Sequence, residues 1–186
     1  MRFNRHFDLE GKHASLSPSK YHWINYTEEK FDHVFTARVA SQRGTALHKL
    51  AMDAIRLGVR LPDTEKTLHM YVNDCIGFRM SPEIVLYYSD NAFGTPDAIS
   101  FRENFLRIFD LKTGLTRTSE KQLEVYAALF CLEYNYRPNQ IKIELRIYQN
   151  DEIRIFVPDP EFIEEITNKI VEFDKRLDQL REESMW

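Results

Sequence analysis

Only two of the 186 residues are cysteine, Cys75 and Cys131. Two thiols cannot supply the four thiolates of an iron–sulfur cluster, so none is expected. Both fall inside apolar helical patterns, which predicts free buried thiols in a reducing cytoplasm rather than a disulfide. An excess of basic residues is also missing: 25 Lys and Arg against 29 Asp and Glu leave a net charge of −4. That excludes a protein coating nucleic acid over its whole surface, but not a local basic groove. No uncharged stretch is long enough to span a bilayer, and Met1–Lys12 lacks the apolar run of a targeting signal, so no membrane partner is expected. With no internal repeat, low-complexity segment or shift in composition, residues 1–186 are expected to form one domain. Residues 1–14 have no periodicity and are expected to be a flexible lead-in.

What is present is the makeup of an ordinary globular protein, 43% hydrophobic and 29% charged. Ser17-Pro18 has the form of a helix start, with Tyr21, Ile24, Phe31, Val34 and Phe35 following and a break at Arg43-Gly44. Leu47, Leu50, Ala51 and Ala54 then predict a helix from Thr45 to Gly58, and a further helix is expected over 65–76. Strands are expected over 83–88, 95–101, 105–111, 140–148 and 152–157, with a long amphipathic helix over 119–134. The segment 105–111 is apolar on both faces except at Arg107 and Asp110, as in a central strand. A last helix over 160–183 carries Ile166, Ile170, Phe173, Leu177 and Leu180 at alternating spacings of four and three. That stripe either packs on the protein's own body or serves self-association.

The segments 95–101 and 105–111 are joined by Arg102-Glu103-Asn104, a short hairpin loop. With the turn centred between Glu103 and Asn104, Asp97 falls opposite Asp110, their Cβ atoms roughly 4.5–5.5 Å apart. Lys112, two residues beyond Asp110, points to the same face. Like charges held so close are destabilising unless something positive lies between them. A divalent cation is the natural candidate.

Around this pair lie Gly44-x3-His48, Gly94-Thr-Pro-Asp97, Asp110-Leu-Lys112-Thr-Gly114 and Gln122-x3-Tyr126. In that order and spacing they resemble the motifs of the PD-(D/E)XK nuclease superfamily, closest to its RecB-like exonuclease branch. The resemblance covers residues 44–126. It implies an α/β fold with a restriction-endonuclease-like core, a mixed central sheet of about five strands flanked by helices. It also implies metal-dependent hydrolysis of DNA phosphodiester bonds, single- or double-stranded and more from an end than internally, as in DNA repair or recombination. Asp97, Asp110 and the Leu111 carbonyl would hold Mg²⁺ or Mn²⁺, hard cations suited to oxygen ligands. Asp97, Asp110 and Lys112 would form the catalytic set, Lys112 positioning the attacking water. His48 would be an additional metal ligand, and Gln122 and Tyr126 would brace the site or touch DNA. The chain departs from the adaptation-nuclease relatives in lacking cluster cysteines.

Each residue also has a plainer reading. His48 borders an apolar helical stripe, where histidines are commonly structural. Asp97 is a turn residue after Pro96, and Asp110 with Lys112 forms a structural ion pair. Ser119-x-x-Gln122 reads as a capping box, and Tyr126 by spacing belongs to the core. Arg117 and Lys121 follow the Thr113-Gly114 turn, where a phosphate backbone would approach, and Glu83 begins a strand from which it would reach the metal. The alternative function is a catalytically inactive nucleic-acid-binding or regulatory module of the same fold.

Overall fold

The computed structural model describes residue 22 and residues 24–184. The lead-in over 1–14 and the Ser17-Pro18 helix start lie outside the described residues. The chain divides into two compact units, Met1–Arg43 and Gly44–Trp186.

In the first unit the described backbone is chiefly the opening part of helix α1 (Glu28–Leu57), which begins with Glu28 and Glu29. Thr27 caps it: its Oγ1 accepts from the Lys30 N–H at 3.3 Å. The first-turn carboxylates complement the positive end of the helix. The break expected at Arg43-Gly44 does not interrupt the helix, which runs through both residues. Glycine has another reason to be there. A Cβ on Gly44 would lie 2.6 Å from Thr113 Oγ1, so its absence permits a close approach by the loop that follows Leu111.

The second unit is α/β. A five-stranded mixed sheet has the order β1 (Ser81–Pro82), β4 (Ala98–Arg102), β5 (Phe105–Leu111), β6 (Lys142–Gln149) and β7 (Glu152–Phe156). Only β5 and β6 are parallel, and the crossover between them carries helix α3 (Lys121–Glu133). A separate hairpin pairs β2 (Leu86–Ser89) with β3 (Ala92–Gly94). Helices α2 (Thr67–Gly77) and α4 (Pro160–Ser184) complete the fold. Among the described residues no helix is long and apolar enough to cross a membrane.

The two faces of β5 serve two cores, as its doubly apolar sequence requires. Leu106 and Ile108 pack with Leu123 and Ala127 of α3 and Ile163 of α4. Phe109 and Leu111 pack with Ala51 and Ile55 of α1 and Val72 and Cys75 of α2. The Arg107 guanidinium lies 3.7 Å over the Phe105 ring and 3.6 Å from Glu144, contacts that offset part of the cost of a buried Nε without a hydrogen bond. Both cysteines are free and buried, and burial pushes the Cys131 thiol up to about 11. The α4 stripe divides: Ile166 and Ile170 pack on the body, whereas Phe173, Leu177 and Leu180 are exposed.

Two strand expectations need correction. The segment 83–88 is not one strand, because Glu83 takes a left-handed backbone (φ 51°) between β1 and β2. The segment 95–101 becomes extended sheet only at Ala98, leaving Thr95 to Asp97 as a connecting stretch.

Candidate active site

The hairpin register decides where the two aspartates fall. Ala98 pairs with Phe109 and Arg102 with Phe105, so the turn is centred between Glu103 and Asn104. Both turn residues have positive φ, 51° and 58°, as the two-residue hairpin turn matched to strand twist demands. Asp97 is the residue immediately before Ala98 and Asp110 the one immediately after Phe109. The ladder stops one step short of them. Asp97 instead turns its Oδ2 to accept from the Leu111 N–H at 2.8 Å, tying the connecting stretch to the end of β5. The Asp97 carbonyl accepts from the Glu83 N–H at 3.1 Å.

Asp110 is 3% exposed. Lys112 Nζ lies 3.0 Å from each of its carboxylate oxygens, yet Oδ2 is buried and makes no hydrogen bond. The ammonium contact to that oxygen is therefore electrostatic, with a lone-pair direction left unused. Burial first and the Asp97 charge second push the Asp110 carboxyl above its ordinary 3.8, and Lys112 offsets this only in part.

His48, on α1, places Nδ1 3.4 Å from Asp97 Oδ1. That hydrogen bond outweighs burial and raises the imidazole above 6.5, with help from the Asp97 and Asp110 charges. One histidine and two carboxylates of the four proposed motifs are thus linked.

The fourth motif joins through Lys112. Its Nζ donates to Gln122 Oε1 at 3.1 Å, Gln122 Nε2 donates to Tyr126 OH at 3.2 Å, and Tyr126 OH donates to the Thr95 carbonyl at 3.1 Å. This chain runs from Asp110 to the stretch that presents Asp97. The capping box does not form: α3 has Glu120 as its N-cap residue without a side-chain cap. Gln122 is consequently available to Lys112, and Tyr126 is held by its hydroxyl as well as by packing.

The remaining sequence candidates are not drawn in. Glu83 faces Arg56, with Oε2 3.6 Å from Nη2. Arg117 and Lys121 are exposed, in the loop before α3 and at its first residue. Sequence reasoning missed Gln149, which is 3% exposed and organises the loop after Lys112. Its Nε2 donates to the Gly114 and Thr116 carbonyls, both at 2.7 Å, while Oε1 accepts from the Thr118 N–H at 3.2 Å. A signal existed: Gln149 continues the inward phase of Ile143, Leu145 and Ile147, where a polar residue needs partners.

Among the described residues no group of three or more His, Cys, Asp and Glu side chains is gathered so as to hold a metal ion alone. Magnesium does not need one, since it is commonly held by one or two carboxylates, with waters and substrate phosphate filling the rest. The donor set here fits that habit, with two acidic side chains, Asp97 and Asp110, and a buried Asp110 Oδ2 that accepts no hydrogen bond. The chain matches no protein-family model and no curated protein.

Proposed function

We propose that this chain is a divalent-metal-dependent DNA nuclease with a restriction-endonuclease-like core, of the RecB-like branch of the PD-(D/E)XK superfamily. The observation that carries the reading is the buried Asp110 carboxylate, held beside Asp97 and Lys112 at the end of a central strand, with Oδ2 accepting no hydrogen bond. A buried charge next to a like charge is costly, and a cation-dependent reaction gives it a purpose.

Asp97, Asp110 and the Leu111 carbonyl would hold Mg²⁺ or Mn²⁺, with His48 as an additional ligand. Such a cation lowers the pKa of bound water and offsets charge developing on a phosphodiester. Lys112 donates from a fixed position, because Asp110 and Gln122 anchor its ammonium on two sides. A cation so placed orients the attacking water and faces the phosphate oxygens without a reorganisation cost at the moment of reaction. Tyr126 ties the Thr95–Asp97 stretch to α3 by its bond to the Thr95 carbonyl, and Asp97 Oδ2 ties it to β5 through the Leu111 N–H. Action from a strand end, and a cytoplasmic location, follow from the family reading and the reduced cysteines.

A second reading is favoured by one observation: Lys112 lies 3.0 Å from both Asp110 oxygens, as a structural ion pair would. On that reading the protein binds nucleic acid without turnover. End-labelled single- and double-stranded DNA, incubated with Mg²⁺ or with EDTA, separates the two. Metal-dependent shortening supports the nuclease; retarded but intact DNA in Mg²⁺ and Mn²⁺ supports the binding module and overturns the nuclease.

A further inference from the structure

A cleft of about 290 Å³ opens directly beside Lys112. Its apolar walls come from three elements: Leu47 of α1, Leu68 of α2, and Leu111 and Leu115 at the end of β5 and in the loop beyond. Its polar lining is Thr67, Lys112, Thr113, Asn150 and Asp151. Leu115 is 88% exposed.

That loop is tied by side chains at successive carbonyls. Gln149 takes Gly114 and Thr116, and Asn150 Nδ2 donates to the Leu115 carbonyl at 3.1 Å. The apolar side chain is thus presented to solvent in a preorganised position, which lowers the ordering cost of any ligand that packs against it.

The rim chemistry limits the ligand. Asp151 Oδ1 accepts from the Thr67 N–H at 2.8 Å and from Thr67 Oγ1 at 2.9 Å. These bonds hold its carboxyl below the usual range, so Asp151 brings a negative charge to the rim at neutral pH, while the lining cation is Lys112. Asn150 spends its amide on Leu115, leaving its oxygen as an acceptor. A flat, largely apolar group carrying an amine suits the leucine walls and the Asn150–Asp151 rim, and a phosphate suits only the Lys112 side.

Resting on the nuclease reading, we infer that this cleft takes the base of the nucleotide next to the scissile phosphate, Leu115 packing on its face and the Asn150–Asp151 rim accepting from an exocyclic amine. The volume accommodates one base with part of its sugar, and Lys112, common to cleft and active site, fixes the neighbouring phosphate. Adenine, guanine and cytosine carry the amine; thymine does not.

The test uses the full chain in Ca²⁺ and a single-stranded oligonucleotide carrying the fluorescent base 2-aminopurine at its terminus. Wild type should change the reporter's fluorescence on binding, and Leu115→Ala should abolish most of that change and weaken binding about tenfold. An unlabelled strand ending in thymine should compete less well than one ending in cytosine or adenine. Binding of the strand by wild type without a change in the terminal reporter, or an unchanged response in Leu115→Ala, would overturn the cleft assignment while leaving metal-dependent cleavage untouched. Absence of any strand binding, together with absence of cleavage in Mg²⁺, would overturn both.

Discussion

Tyr126 occupies the space that a side chain on Gly94 would need: a Cβ there would come 2.8 Å from Tyr126 Cε1. The same tyrosine donates to the carbonyl of Thr95, so glycine and tyrosine together fix the stretch that leads into Asp97. Gly94→Ala is predicted to displace the ring or the stretch, cost about 1–3 kcal/mol of stability and lower Mg²⁺-dependent cleavage. Thermal denaturation and a cleavage assay on the purified variant check both parts; wild-type behaviour in both would remove Gly94 from the account.

Gln122 acts on the reaction through Lys112. Gln122→Ala removes one of two anchors from the ammonium and should reduce kcat about 10-fold to 100-fold with little change in Tm, since the residue is exposed. Gln122→Glu keeps an oxygen acceptor for the ammonium and should restore most of the kcat that Gln122→Ala loses, a rescue that a merely structural role would not produce.

The carboxyl of Asp110 has its folded-state pKa raised above 3.8. Its favourable contribution to folding is therefore present below pH 3.8 and lost as pH rises through the folded value. At neutral pH the ionised group is a net cost, and Asp110→Asn should stabilise the metal-free protein by about 1 kcal/mol, a Tm increase of about 2–4 °C. Millimolar Mg²⁺ should raise the Tm of wild type and leave that of Asp110→Asn unchanged. Differential scanning calorimetry with and without metal reads both effects; stabilisation of both proteins by Mg²⁺ would place the ion elsewhere.

His48 also has a raised folded-state pKa, here through its bond to Asp97. The stability it contributes is fully present below pH 6.5 and disappears as pH climbs through the folded value. His48→Gln should thus be less stable than wild type at pH 5.5 and converge with it in alkaline solution. Metal affinity runs the other way, because only the neutral imidazole binds a cation. Calorimetric titration with Mn²⁺ should show affinity rising with pH across that window in wild type and a flatter dependence in His48→Gln.

The hairpin was legible in the chain because its register depends on local information: a polar pair, Glu103-Asn104, between two apolar runs. The central strand was legible for the same reason, its two apolar faces reporting burial on both sides. Gly44 was misleading. Glycine in a helical pattern signals an end when only the chain neighbours are considered, but here it answers to Thr113, far along the sequence. Gln122 posed a similar problem, since Ser119-x-x-Gln122 satisfies a local capping rule that a contact with Lys112 overrides. Gly94 and Tyr126 belong together for a steric reason that neither position reveals alone.

The central claim is that Asp110 serves a metal-dependent cleavage of DNA. Single-turnover degradation of end-labelled DNA in Mg²⁺, comparing wild type with Asp110→Ala prepared identically, tests it most directly. The account predicts a loss of at least about 10²–10³-fold in the variant with circular dichroism unchanged. Equal rates for the two proteins, or no metal-dependent cleavage by wild type, would contradict it.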